Sequence, residues 1–175
     1  MDDFWVFGYG SLMWRPGFDY MEAQRGRLYG YRRALCIYSY VHRGTREKPG
    51  LVLGLDRGGS CTGMVFKVSG RNHDPVMAEL RDRELVTNVY LERHSPVHLE
   101  DGRRIDAVVY VADQHHEQFA GHLSSIDAAR RVSVSRGRSG HNVDYVASTV
   151  DHLTEMKIRD HWLEDVARKM VDDRV

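Results

Sequence analysis

Glu84 and the turn Gly8-Tyr9-Gly10-Ser11 are the residues of this chain whose type and placing suit them to chemistry. Val76, Met77, Leu80 and Leu85 recur at helical spacing, and Glu84 follows Leu80 by four positions and Met77 by seven. It therefore falls on the stripe that a helix turns toward a core. Burial disfavours a charged carboxylate and raises its pKa toward neutrality. A carboxyl group with such a pKa exchanges a proton near pH 7, as a general base or acid must. The spacing is met equally well if Glu84 pairs with Arg81 or Arg83, or if the helix ends early and leaves it in water. The other acids have no such placing: Glu79 and Asp82 lie off the stripe, and Glu92, Glu100 and Asp101 fall in strand or turn positions.

The second feature begins where the apolar run 4–7 breaks into Gly8-Tyr9-Gly10-Ser11-Leu12-Met13-Trp14. A buried strand ending in two glycines makes a turn whose backbone can approach another molecule closely. Such a turn presents several N–H groups together, which suits an oxyanion or a carboxylate. Met13 stands where a GxGxxG fingerprint needs its third glycine, which argues against a dinucleotide fold. No GxSxG elbow is present, and Ser11 has no evident His/Asp partners in sequence, so a hydrolase triad finds little support.

Strands dominate the first two-thirds of the chain. Tyr29, Tyr31, Leu35, Ile37, Tyr38 and Tyr40 predict a long or bent strand over 27–41, followed by a polar loop over 43–50. Strands over 51–55 and 62–68 flank Arg57-Gly58-Gly59-Ser60 and predict a hairpin. A second hairpin is predicted from 90–99 and 104–112, turning at Glu100-Asp101-Gly102, with Ile105, Ala107, Val109 and Val111 on one face. The helix bearing Glu84 is predicted over 74–86, with Asp74 as its cap and Pro75 in its first turn. Helices follow, one carrying Val146, Val150 and Leu153 and one carrying Trp162, Val166 and Met170. Residues 135–142 read as a Gly/Ser-rich loop whose Asn142 caps the next helix. Early strands and late helices imply an α+β fold, a small mixed β-barrel with flanking helices, in a single domain over 1–175.

Composition narrows the function further. The 25 basic and 25 acidic side chains balance, so nothing calls for nucleic acid or a membrane surface. The Arg130-Arg131 and Arg136/Arg138 patches suit a solvated face or a local anion. The acidic N-terminus and its short apolar run do not make a signal peptide, and no stretch approaches the roughly 20 apolar residues of a membrane span. Cys36 and Cys61 lie outside any C-x-x-C spacing, which argues against a disulfide scaffold or zinc ribbon and for the cytoplasm. The ten histidines include no H-E-x-x-H or comparable set, so no metal is expected. Oligomeric state is not legible.

Taken together, these residues resemble the ChaC-like γ-glutamylcyclotransferases. The resemblance begins with Val6 to Trp14, Pro16 and Phe18, and continues through His42-Arg43-Gly44-Thr45, Lys48-Pro49-Gly50 and Arg83-Glu84. It ends with Gly137, Ser139-Gly140, Asn142 and Asp144-Tyr145, which are similar to the family's C-terminal signature. It implies a small mixed β-barrel enzyme without a cofactor, acting on glutathione as a small-molecule substrate and releasing 5-oxoproline and cysteinylglycine. It further implies that Glu84 is the catalytic glutamate and that Phe7, Gly8, Tyr9, Gly10, Ser11 and Leu12 form the substrate loop. Tyr145 matches an aromatic residue near the pocket. Two departures bear on substrate choice: Leu85-Val86-Thr87-Asn88-Val89-Tyr90 replaces a Gly-Gly-Tyr type sequence, and Ser135-Arg136 lacks the small residues of some relatives. Other γ-glutamyl amines, γ-glutamyl amino acids, or a non-catalytic domain binding γ-glutamyl ligands are the alternatives.

Overall fold

A computed structural model describes residues 1–85 and 87–174. Five strands, β1 (Phe4–Gly8), β2 (Glu22–Ser39), β3 (Gly50–Val68), β4 (Tyr90–Leu99) and β5 (Arg104–Ala112), close a barrel in the order β1-β3-β2-β4-β5. The barrel is mixed. β1 runs antiparallel to β3 from Phe4↔Val68 to Gly8↔Met64, and parallel to β5 at Trp5↔Ala107 and Val6↔Val108. The described residues also form four α-helices: α1 (His73–Glu84), α2 (Ser125–Val134), α3 (Asn142–Glu155) and α4 (His161–Lys169). The expected α+β mixed barrel with helices is what forms.

The chain makes two compact units. The first holds Met1–Arg33 and Leu55–Asp113, and so β1, α1, β4, β5 and most of β3. The predicted hairpin of β4 and β5 is there, paired from Tyr90↔Ala112 to His98↔Arg104. Burial of β5, however, is not confined to the expected face. Ala107, Val109 and Val111 are buried, and so are Val108 and Tyr110 between them. The second face is covered because Val108 and Tyr110 share a cluster with Val76, Met77 and Leu80 of α1, and with Val6, Leu12, Phe66 and Val68. A strand covered on both faces loses its alternation of apolar and polar residues.

Residues 57–60 do not reverse the chain. β3 continues through them as one strand, with Gly58 at φ +103° and Gly59 at φ +66°. Two consecutive glycines in the left-handed region kink a strand as readily as they turn a hairpin, and here the strand runs on to pair with β1 over Met64 to Val68. Helix α1 begins one residue earlier than expected. A short 3-10 turn, Gly70–Asn72, leads into it, with Ser69 accepting from the Arg71 N–H, and Asp74 lies inside the first turn of α1 beside His73. The helix ends at Glu84; Val86, at the end of the predicted span, lies outside the described residues.

The second unit holds Ala34–Gly54 and the chain from Gln114 onward. Helices α2, α3 and α4 pack on one another there, and they bury Ala128, Ala129, Val132, Val146, Leu153, Leu163 and Val166. The predicted loop over 135–142 is a miniature hairpin, β6 (Arg136–Gly137) against β7 (Gly140–His141). Asn142 is not the cap of α3. His141 takes that position, and the fully buried Asn142 side chain accepts from the Leu51 N–H at 2.8 Å and donates to the Leu51 carbonyl at 2.9 Å. A carboxamide has one acceptor and one donor group, so it completes both halves of a strand pairing.

Leu80 is 1% exposed at the centre of the cluster that holds α1. Leu80→Ala is expected to destabilise the fold by about 2–5 kcal/mol, the usual cost of a large-to-small change in a core. Urea unfolding monitored by circular dichroism measures it.

Candidate active site

Glu84 is the last residue of α1, on the same side as the buried Val76, Met77 and Leu80. Its side chain is half-buried, with an edge open to water, and protein atoms crowd the rest of it. Desolvation pushes its pKa above the ordinary carboxylate value, and the neighbouring Arg83 charge pulls weakly the other way. Neither arginine neutralises it directly. Arg81 instead grips Glu92 with two bonds of 3.0 and 3.1 Å. Arg83 donates to the Arg15 carbonyl at 2.9 Å and to Ser11 Oγ at 2.8 Å. Among the described residues no hydrogen bond or ion pair reaches the Glu84 carboxylate. The helix therefore neither pairs this acid nor releases it fully to solvent.

The turn lies against the same helix. β1 ends at Gly8, and a 3-10 turn follows over Ser11–Met13. Its first hydrogen bond runs from the Met13 N–H to the Gly10 carbonyl at 2.9 Å. The N–H groups of Gly10, Ser11 and Leu12 precede that bond, so the short helix supplies no acceptor for them. Gly8 is closely packed, since a Cβ there would lie 2.9 Å from Leu12 Cδ2 and 3.2 Å from the Met13 nitrogen. Leu12 joins the cluster beneath α1, and Arg83 reaches Ser11 from the helix end. One apolar cluster and one hydrogen bond thus hold the turn against α1, the helix that ends at Glu84.

A polar chain runs beside them. Tyr110 donates its hydroxyl proton to Glu92 at 2.8 Å, and Glu92 is held by Arg81. The Arg81 bond keeps Glu92 below the usual carboxylate range, while burial and the bond to Glu92 push the Tyr110 phenol upward. The Glu84 charge adds to the rise at Tyr110, so the phenol lies within electrostatic reach of the candidate base. Position on a strand gave no sign of this, because Glu92 reads there as a solvated acid.

Other predicted residues have different placings. Phe7 is 2% exposed and paired with Val65, so its side chain is core and only its backbone leads into the turn. Tyr145 belongs to the second unit, on α3, where its hydroxyl accepts from the Leu53 N–H at 3.0 Å and its ring lies 5.6 Å from the Arg43 guanidinium carbon. The motif segments of that unit are knitted together by backbone. Ser139 N–H donates to the His42 carbonyl at 2.9 Å, Arg138 N–H to Val41 at 2.8 Å, and the Arg43 guanidinium to the His141 carbonyl at 3.1 Å. His42 Nδ1 and Ser139 Oγ are 2.8 Å apart. The spacing of these short motifs in sequence is that of two loops that must interlock.

The chain matches the model of the ChaC-like protein family over residues 4–174. It is 32% identical over 162 residues to the glutathione-specific gamma-glutamylcyclotransferase of Escherichia coli, covering 93% of this chain and 70% of that protein. It is 34% identical over 153 residues to glutathione-specific gamma-glutamylcyclotransferase 1 of Danio rerio, covering 85% and 78%. The fold is similar to the crystal structure of the glutathione-specific gamma-glutamyl cyclotransferase from yeast, with a TM-score of 0.83 at 24% identity over 97% of this chain and 98% of that one.

Burial of Glu84 has a consequence for stability. Its folded-state pKa lies above the ordinary 4.5, so between the two values the folded protein holds a proton that the unfolded chain has lost. Stability therefore falls as pH rises through that window. Glu84→Gln is expected to raise the Tm at pH 7, and the gain should vanish as the pH drops below about 4.5. Thermal melts of both proteins across pH test it; an equal Tm at pH 7 would mean that the carboxylate is not strained.

Proposed function

This chain belongs to the ChaC-like protein family, and on that premise we propose that it is a glutathione-specific γ-glutamylcyclotransferase. The observation that carries the reading is the half-buried Glu84 carboxylate, raised in pKa and reached by no hydrogen bond or ion pair among the described residues, at the end of the helix whose Arg83 holds Ser11 of the turn. The reaction is an intramolecular aminolysis. The α-amino group of the γ-glutamyl unit attacks its own γ-carbonyl carbon, a five-membered ring closes, and the amide bond to cysteinylglycine breaks. The products are 5-oxoproline and cysteinylglycine, with no water consumed.

Because nucleophile and electrophile share one molecule, the protein must hold the chain folded and remove one proton. At neutral pH the amine is largely an ammonium ion. Glu84 takes one of its protons, the nitrogen attacks, and the protonated Glu84 gives that proton to the departing nitrogen; the second proton lost as the ring nitrogen becomes the lactam N–H goes to the released amine, which ends as an ammonium ion. Its raised pKa serves both halves, since a weaker acid is a stronger base in the first and still a donor in the second. Donors of the Gly8–Leu12 turn, with Ser11 Oγ, take the substrate α-carboxylate or the oxyanion that develops on the γ-carbonyl oxygen. The assignment of these site residues, and of Tyr145 to the pocket, is part of the proposal.

The reading takes residues 1–175 as one functional domain, supported by the unbroken family match over 4–174. It places the protein in the cytoplasm, with glutathione as its partner and neither nucleic acid nor a membrane involved. Cys36 and Cys61, buried and not joined in a disulfide, suit a reducing compartment. Among the described residues no helix is long and apolar enough to cross a membrane.

Purified protein incubated with reduced glutathione should release 5-oxoproline and cysteinylglycine in equal amounts. Turnover of γ-glutamyl-alanine in preference to glutathione would move the reading to other γ-glutamyl compounds. Glu84→Gln should keep the fold and cut kcat by at least ~10²-fold, as expected for loss of a general base; near-normal turnover would remove Glu84 from the mechanism. Ser11→Ala should raise KM about 3- to 10-fold, the loss of one hydrogen bond, while leaving kcat measurable. Unchanged kinetics would take Ser11 out of the site.

A further inference from the structure

Behind the turn lies a guanidinium that the reaction as described does not use. Arg33 is 5% exposed. Side chains alternate along a strand, so Arg33 points away from the face where Arg32 pairs with Asp56 at 3.0 Å. Its fork reaches two main-chain carbonyls in the first unit. Nε donates to the Tyr9 oxygen at 2.6 Å, and a terminal nitrogen donates to the Thr62 oxygen on β3 at 2.7 Å. The same terminal nitrogen lies 3.8 Å from Met13 Sδ. A buried arginine thus grips the turn at its middle residue and ties it to the adjoining strand.

Peptide geometry makes this grip directional. No cis peptide occurs among the described residues, and in a planar trans peptide the C=O and the following N–H point in opposite directions. Drawing the Tyr9 carbonyl toward the buried guanidinium therefore aims the Gly10 N–H the other way, out of the core. A cation on the carbonyl also polarises the amide, which makes that N–H a stronger donor. We infer that Arg33 is a positioning residue for the reaction, acting through the Tyr9–Gly10 peptide to aim and strengthen the Gly10 N–H toward the anionic part of the γ-glutamyl substrate. The inference rests on the turn being the γ-glutamyl cradle.

Arg33→Lys tests it, because lysine keeps the charge but lacks the two-pronged fork. The folded variant should lose at least ~10-fold in kcat/KM for glutathione, as removal of a preorganised donor does. The acid limb of its pH profile should stay in place, because Glu84 is untouched. In nitrogen-15 spectra the Gly10 amide should shift, while that of Gly102, in the β4–β5 turn, should not. Unchanged kcat/KM with an unchanged Gly10 amide would overturn the inference, as would a displaced acid limb, which would mean that the whole site had been disturbed. Should the variant not fold, the wild-type protein decides. Titration with 5-oxoproline must move the Gly10 amide downfield, and a scalar coupling must link Arg33 Nε to the Tyr9 carbonyl carbon; absence of either overturns it. If wild-type protein does not turn over glutathione, the functional reading fails separately, and the Gly10 shift in Arg33→Lys still decides whether Arg33 aims that amide.

Discussion

The contact between helix α1 and the wall of strands beneath it is the constraint on which the site depends. Val76, Met77 and Leu80 bury against Val6, Val108 and Tyr110, and Leu12 is in the same cluster. Each of these side chains gains on the order of 1.5–3 kcal/mol from leaving water. That gain fixes the helix at its middle, and Glu84, one turn beyond Leu80, has no freedom to choose another environment. The turn is positioned by the same burial through Leu12. A scaffold interaction, made for stability, thus positions the two groups that we propose meet the substrate.

Polar contacts around the cluster complete what apolar packing begins. Arg81 is held by Glu92 and Arg83 by Ser11 and the carbonyls of Arg15 and Pro16. The two arginines of the last turn of α1 are thus occupied elsewhere, and the acid retains the proton affinity that burial confers. Had either arginine turned inward, Glu84 would be an ordinary ion-paired glutamate with a low pKa. Specific hydrogen bonds at the periphery therefore keep Arg81 and Arg83 from pairing with the centre.

Much of this was legible in the residues themselves. Helical spacing located α1 and put Glu84 on its buried stripe, and the β4–β5 hairpin announced itself by alternation and a Glu-Asp-Gly turn. Where reading failed, a local signal had two meanings that only the fold separates. Gly58-Gly59 kinks a continuous strand in place of closing a hairpin. Asn142, a capping residue by type, spends both amide groups on Leu51, ninety-one residues away. No helix is predicted where α2 forms: Arg130-Arg131 suit a solvated face by type, and the buried face of Ala128, Ala129 and Val132 is too small and short to mark a helix by its periodicity. Arg33 carried no signal at all, since an arginine in a strand reads as solvated until a carbonyl is found at its tip.

Glu84 stands at the carboxyl end of α1. The peptide dipoles of a helix sum to a partial negative charge at that end, so a carboxylate placed there faces like charge from the backbone itself. This macrodipole opposes ionisation in the same sense as desolvation, and it needs no additional side chain. The proton affinity of the candidate base is thereby tied to helix length. An insertion that carried α1 one turn past Glu84 would move the negative pole beyond it and lower its basicity, even with every side-chain contact kept.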